Sequence, residues 1–338
     1  MKLDAGIGGI ESAAQRAADA EAAGYSGVFT AETGSDPFLP LLLAAEATER
    51  IDLVTAIAVA FARSPMTTAA TANDIHRASG GRFILGLGSQ IKPHIERRFS
   101  MPWSKPAARM GEFISALHAI WACWNEGTKL DFHGDFYTHT LMTPFFNPGP
   151  NPNGRPKVYL AAVGDLMTSV AGELADGILI HPFTTERYLR EVTLPRLEKG
   201  AAKVGRPVDE VDVVGPVFIV TGDDEKQREA ADGFVRNQIA FYGSTPAYRP
   251  VLELHGWGDL QTELNTLSKQ GEWVQMAALI DDDMLKTFAV VADSPADVAP
   301  AIVERYGDVV DRVSFYSSWN PNPEQLADII GTLSAPVA

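Results

Sequence analysis

With one cysteine in 338 residues the chain cannot form an internal disulfide, so packing alone must hold the fold and a reducing compartment is the expectation. Long apolar runs are missing as well. No stretch of about 18 apolar residues occurs, so no membrane-spanning helix is expected. The N-terminal residues 1–25 carry acids early, without the sustained apolar core of a secretory signal. A soluble cytoplasmic protein follows as the expectation. Positive charge is scarce too: 28 Lys and Arg stand against 43 Asp and Glu, a formal net charge of −15. Such a chain has no general basic face for nucleic acid, and an anionic ligand must be met locally.

Several catalytic signatures are also absent. The seven histidines, His94, His133, His139 and His181 among them, show no HExxH spacing and no Cys/His cluster, so no metal site is expected. There is no G-x-S-x-G elbow. Asp281, Asp282 and Asp283 read as a solvated loop or helix end, and Cys123 as a packing residue in a helix.

What is present is alternation. Eight short apolar or β-branched runs, at 3–7, 27–31, 53–61, 82–87, 158–162, 177–181, 211–220 and 312–316, are each followed by a turn and a helical pattern. Eight parallel units of the α/β class predict a closed (β/α)8 TIM barrel, one domain over residues 1–338. Insertions at about 125–156 and 244–288 break the rhythm, the first as a hairpin turning at His133-Gly134-Asp135 and a Pro/Asn/Gly-rich loop, the second as mostly helical. Inserts of this length tend to be lids or pocket walls. In "RMGEFISALHAIWACW" the residues Met110, Phe113, Ile114, Leu117, Ile120, Trp121 and Trp124 form one buried stripe. Arg109 and Glu112 at its start have the spacing of a surface ion pair.

The candidate site residues lie at strand ends. "GRFILGLGSQIKPHIERRF" lacks the third glycine of a dinucleotide fingerprint. It reads as a strand whose Gly86 and Gly88 let a flat ligand or phosphate approach the backbone, followed by Ser89 and Gln90 as hydrogen-bonding groups. "VYLAAVGDLMTSV" places Ala162, Val163 and Gly164 before a helix whose first amides can hold a phosphate, a geometry also compatible with Asp165 capping that helix. "GVFTAETGSDPF" puts Glu32 and Thr33 at the mouth, and "LVTAIAVAFARSP" has small residues Thr55, Ala56 and Ala58 that leave room for a planar group.

In order along the chain, "GRFILGLGSQIKPHIERRF", "RMGEFISALHAIW", "LDFHGDFYTHTLMTPFFNPGP" and "PKVYLAAVGDLMTSVAGELADGI" resemble the bacterial luciferase-like family of flavin and deazaflavin enzymes, over nearly the whole chain. "TAETGSDPFLP", "TAIAVAFARSPM" and "GSQIKPHIERRF" are most similar to the branch that uses coenzyme F420, a 5-deazaflavin. The resemblance implies an oxidoreductase that moves a hydride between F420 and an alcohol, aldehyde, ketone or activated alkene. It implies a cofactor ring over a non-prolyl cis peptide near Ala56 and Ile57, contacts from Gly88, Ser89 and Gln90, and phosphate held by Ala162, Val163 and Gly164. Glu32 corresponds to the family acid beside the deazaflavin, for proton handling or ring orientation. Thr33 and His94 are candidates for substrate contacts, and Lys92, Arg97 and Arg98 for attracting the anionic tail or forming exposed ion pairs. Thr33 and Ile91 stand where sugar-phosphate dehydrogenases of the family carry His and Glu, which argues against glucose 6-phosphate. A homodimer is implied at family level. An FMN-dependent monooxygenase using dioxygen and a non-catalytic flavin carrier are the alternatives.

Overall fold

The computed structural model describes residues 1–335. Its strands are β1 (Lys2–Gly6), β2 (Gly27–Thr30), β3 (Asp52–Thr55), β4 (Ala58–Val59), β5 (Phe83–Gly88), β6 (Phe132–His133), β7 (Thr138–His139), β8 (Lys157–Ala161), β9 (Gly177–Leu179), β10 (Asp212–Val220), β11 (Ala289–Val291) and β12 (Arg312–Tyr316). The main sheet runs β10-β12-β1-β2-β3-β5-β8-β9 and closes by pairing of β9 with β10, which is the expected (β/α)8 barrel. Registers such as Leu53 opposite Phe83, Leu85 opposite Val158 and Val217 opposite Phe315 are parallel. β5 is buried at all of its positions, as a parallel strand covered on both faces must be.

The structure corrects two strand expectations. The run 53–61 is not one strand: it breaks after Thr55, resumes at Ala58–Val59 and ends in a 3-10 turn at Ala60–Ala62. β11, which sequence periodicity does not separate from the preceding helix, pairs with β10 through Phe218, Ile219 and Val220.

The chain divides into two compact units. One comprises residues 5–179 and 196–212. Its long helix Pro106–Glu126 begins with Pro at the first turn, ends at Gly127 in the left-handed region, and buries the predicted stripe, Cys123 included. The expected Arg109/Glu112 ion pair is not formed. Arg109 is buried and donates through Nε to the Tyr137 hydroxyl at 2.8 Å and through Nη1 to the Pro102 carbonyl at 2.6 Å, with its guanidinium 4.6 Å over the Phe61 ring. Glu112 instead accepts the backbone amides of Asp135, Phe136 and Tyr137 at 2.8, 2.7 and 2.5 Å. A Cβ on Gly134 would stand 2.2 Å from the Glu112 carboxyl, so a side chain there would push that carboxylate off the turn. The β6–β7 hairpin turns one residue later than expected, with the Gly134 amide bonded to the Tyr137 carbonyl. The Asn-rich loop that follows is pinned by buried Asn151, whose Nδ2 donates to Asn73 Oδ1 at 2.9 Å.

The other unit comprises residues 1–4, 180–195 and 213 onward. Asp4 on β1 and Arg312 on β12 form a buried bidentate ion pair at 2.8 and 2.7 Å. The second insert is largely helical as expected, and it packs into a core of its unit. Val251, Leu252, Leu264, Met276, Ile280, Leu285 and Phe288 share one core with Phe183, Phe218 and Val235. Asp281 caps the helix Asp282–Phe288 by accepting the Met284 amide, and Asp282 pairs with Arg236, so the acidic run is a helix start.

Two predictions follow from the first unit. Glu112→Gln loses an acceptor on the turn amides and places an amide donor against them, and should lower unfolding stability by about 1–3 kcal/mol. Hydrogen exchange should localise the loss to residues 134–137. His118 is half-buried, its enclosed Nε2 has no partner among the described residues, and burial, aided by Arg155, holds its pKa down to about 4 from the ordinary 6.5. The unfolded chain therefore binds the proton first, and stability complete above about 6.5 is lost as pH falls toward 4. The urea midpoint of His118→Phe should drop less than that of the parent between about pH 7 and about pH 5.

Candidate active site

All the sequence-predicted site residues lie in the unit of residues 5–179 and 196–212, at the carboxyl ends of β2, β3, β5 and β8. The carboxyl face of a parallel barrel is where such folds keep their chemistry. The arrangement begins at the break between β3 and β4, where the Ala56–Ile57 peptide is cis. Thr55 supplies what the interrupted ladder lacks. Its hydroxyl donates to the Gly86 carbonyl at 2.8 Å and accepts the Gly86 amide at 2.8 Å. Thr55 is therefore a hydrogen-bonding element of the wall and not a space-maker, which corrects the reading of it as merely small. The two glycines of β5 serve the same approach. A Cβ on Gly86 would fall 1.8 Å from the Thr55 carbonyl oxygen, and one on Gly88 would fall 2.8 Å from the Ile57 side chain. The space their missing side chains leave is filled by protein, not held open for a ligand.

The loop after β2 is bound to this break. The Ala56 amide donates to the Thr30 carbonyl at 2.7 Å, and the Glu32 amide donates to the Ile57 carbonyl at 3.1 Å. The Glu32 side chain is only 7% exposed, and its Oε2 accepts both the Val59 amide at 2.7 Å and Arg63 Nη1 at 2.6 Å. Arg63 reaches on to Asp36 at 3.1 Å and lies 5.3 Å over the Phe38 ring. Arg63 was not singled out in the sequence. Its only signal was an arginine closing an apolar run in "AVAFARSP".

Beyond β5 the chain turns through Gln90, a non-glycine residue at φ 58°. Ser89 donates to the Gln90 carbonyl at 3.1 Å, and the Gln90 side chain accepts the Ile91 amide at 3.0 Å, so both polar groups stabilise the turn itself. A π-helical turn follows at His94–Arg98, anchored by buried Ile95 with His94 exposed. Of the expected basic cluster, Lys92 pairs with Glu96 at 3.8 Å, and Arg98 donates to the Thr33 carbonyl, joining this turn to the loop after β2. Arg97 is exposed and makes no ion pair among the described residues.

After β8, Ala162 is buried while Val163 and Gly164 are exposed. Gly164, at φ 80°, is the N-cap of the helix Asp165–Leu174 and gives no side-chain cap. Asp165 does not cap that helix, contrary to one reading of the sequence. It is the first helical residue, and its carboxylate pairs with Arg196. The first helical amides thus lack a side-chain acceptor, and nothing stands within 4 Å of a Cβ built on Gly164. The space beside Gly164 is open, and the free amides of a helix start have the polarity that suits an anion.

The second unit holds a cluster that sequence reasoning passed over. His181, just beyond β9, stacks on Tyr248 with centroids 4.4 Å apart and meets Tyr242 edge-on at 4.6 Å. Tyr242 and Tyr316 hydroxyls are 2.9 Å apart, and Tyr316 donates to Gln238 Oε1 at 2.9 Å. His181 was visible at a strand end in "GILIHPF", but its partners come from distant segments. Among the described residues no group of three or more His, Cys, Asp or Glu could hold a metal ion, and no helix is long and apolar enough to cross a membrane.

Comparison with known proteins bears on the family and the fold. The family model described as luciferase-like monooxygenase matches residues 2–312. Protein Rv1360 of Mycobacterium tuberculosis (strain ATCC 25618 / H37Rv) is 55% identical over 318 residues, covering 93% of this chain and 92% of its own. The 5,10-methylenetetrahydromethanopterin reductase of Archaeoglobus fulgidus is 30% identical over 274 residues, covering 79% of this chain and 77% of its own. The solved coenzyme F420-dependent tetrahydromethanopterin reductase of Methanopyrus kandleri superposes with a TM-score of 0.77 at 23% identity, over 98% of this chain and 97% of that one.

Thr55→Val keeps the shape of the side chain but strands the Gly86 amide and carbonyl in a buried strand. A loss of about 1–3 kcal/mol is expected. Chemical denaturation reads it directly, and an unchanged midpoint would show that the hydroxyl is dispensable to the wall.

Proposed function

Because the chain belongs to the luciferase-like monooxygenase family, we propose that it is an oxidoreductase that uses coenzyme F420 to move a hydride to or from a small organic substrate, an alcohol, aldehyde, ketone or activated alkene. The observation that carries this reading is the uncapped, uncovered helix start at Gly164, which suits the phosphate of a cofactor. The choice of F420 draws on the names of the Archaeoglobus and Methanopyrus reductases, the second of which is described as F420-dependent.

In this reading the backbone at Ala56 and Ile57 backs the planar ring. Ala162, Val163 and Gly164 lead the chain to the amides that hold the phosphate, and exposed Arg97 adds positive charge on a chain that is acidic as a whole. Ser89 and Gln90 form the second wall, with Gly86 and Gly88 acting through the close packing they permit. The bound deazaflavin supplies a carbon that gives or takes a hydride. Glu32 is a positioning residue: its carboxylate ties Val59 and Arg63 together and so holds the segment under the ring. Thr33 and His94, both exposed, are assigned to substrate contact in this reading.

Fluorescence quenching with F420 and with FMN tests the assignment. Saturable F420 binding with FMN weaker by about tenfold or more is expected. Val163→Asp puts a carboxylate beside the phosphate amides and should weaken F420 binding by about tenfold or more without shifting the melting temperature. Tight FMN binding with no response to F420 would replace this reading with the flavin monooxygenase one.

A further inference from the structure

The His181 cluster has a defined protonation state. The Phe183 amide donates to His181 Nδ1 at 3.0 Å, and a ring nitrogen that accepts from an amide carries no proton. Burial alone pushes the His181 pKa down to about 4, and no charged side chain contributes. The ring is therefore neutral near pH 7 with its proton on Nε2, and that donor meets no acceptor among the described residues. Tyr248 offers a second one: its hydroxyl has no hydrogen-bond partner among them, and burial alone pushes its pKa up to about 12. Tyr316 gives its proton to Gln238, so Tyr242 donates to Tyr316 and keeps lone pairs free to accept.

The chemistry of a matching ligand follows. Tyr248 lies against the imidazole face and Tyr242 stands perpendicular to it, so flat or unsaturated carbon packs well beside them. Among the described residues no charged side chain acts on His181, Tyr242 or Tyr248, so nothing there favours an anion or a cation. A neutral imidazole N–H is a competent donor to a carbonyl oxygen. We propose that His181, Tyr242 and Tyr248 form a binding site for a neutral organic carbonyl compound, whose oxygen accepts the hydrogen bond from His181 Nε2.

This site stands on residues of one unit and does not depend on which cofactor the chain uses. Its test is run on the full chain without added cofactor, so its outcome is separate from that of the F420 assignment. The probes are acetophenone and benzoate, similar in shape and different in charge. Long-range nitrogen–proton NMR should find His181 protonated on Nε2, and acetophenone should shift that resonance saturably. Benzoate should bind at least about tenfold more weakly, and His181→Ala should weaken acetophenone binding by about tenfold or more. Tyr248→Phe, which keeps the stacked ring, should weaken it about threefold. A proton on Nδ1, benzoate binding as tightly as acetophenone, no saturable acetophenone response, or acetophenone binding that survives His181→Ala would each overturn the proposal. Should His181→Ala fail to fold, the tautomer of the parent protein and the Tyr248→Phe titration still decide it.

Discussion

The candidate site depends on how closely β3 comes to β5. At Gly86 not even a methyl group fits, because the Thr55 carbonyl lies 1.8 Å from where it would stand. The Thr55 hydroxyl then serves both backbone groups of Gly86, so the ladder survives the point where β3 departs from it. Everything downstream is built on that departure. It sets where the Ile57 carbonyl meets the Glu32 amide, where Ile57 packs over Gly88, and where Val59 meets the Glu32 carboxylate. A carboxylate that is almost fully buried is retained at such a place only with partners. Val59 and Arg63 are those partners, and Arg98 extends the same set of links by holding the Thr33 carbonyl.

Much of the barrel was legible because its strands are covered on both faces and read as continuous apolar runs. Phe83–Gly88 and Val158–Leu160 are of that kind. The helix from Pro106 was legible for the complementary reason, since its apolar positions repeat at three and four residues. Periodicity failed where the backbone does something local that side-chain character does not encode. Residues 53–61 are apolar apart from Thr55, yet the chain breaks just after it. Ala289–Val291 is too short, and too close to the helix before it, to announce itself as a strand.

Polar residues were harder still, because their roles are assigned by partners far away in the chain. Glu112 has the spacing of a helix ion pair with Arg109, but it serves amides 23 to 25 residues on. Glu32 could be located at a strand end. That its carboxylate is occupied by Arg63, 31 residues away, could not be read from spacing. The His181 cluster draws on the segment after β9, two helical segments and β12, and only its histidine carried any local signal.

The Asp4–Arg312 pair joins residues 308 apart in the chain. Its consequence concerns the order in which a growing polypeptide can fold. The unit built from residues 5–179 and 196–212 has all its parts once residue 212 has left the ribosome. The other unit takes Asp4 from the start of the chain but must wait for Arg312, and until then a carboxylate that ends up buried remains in water. Synthesis therefore delivers the candidate cofactor wall early and the salt bridge of the second unit almost last, a sequence of events set by topology alone.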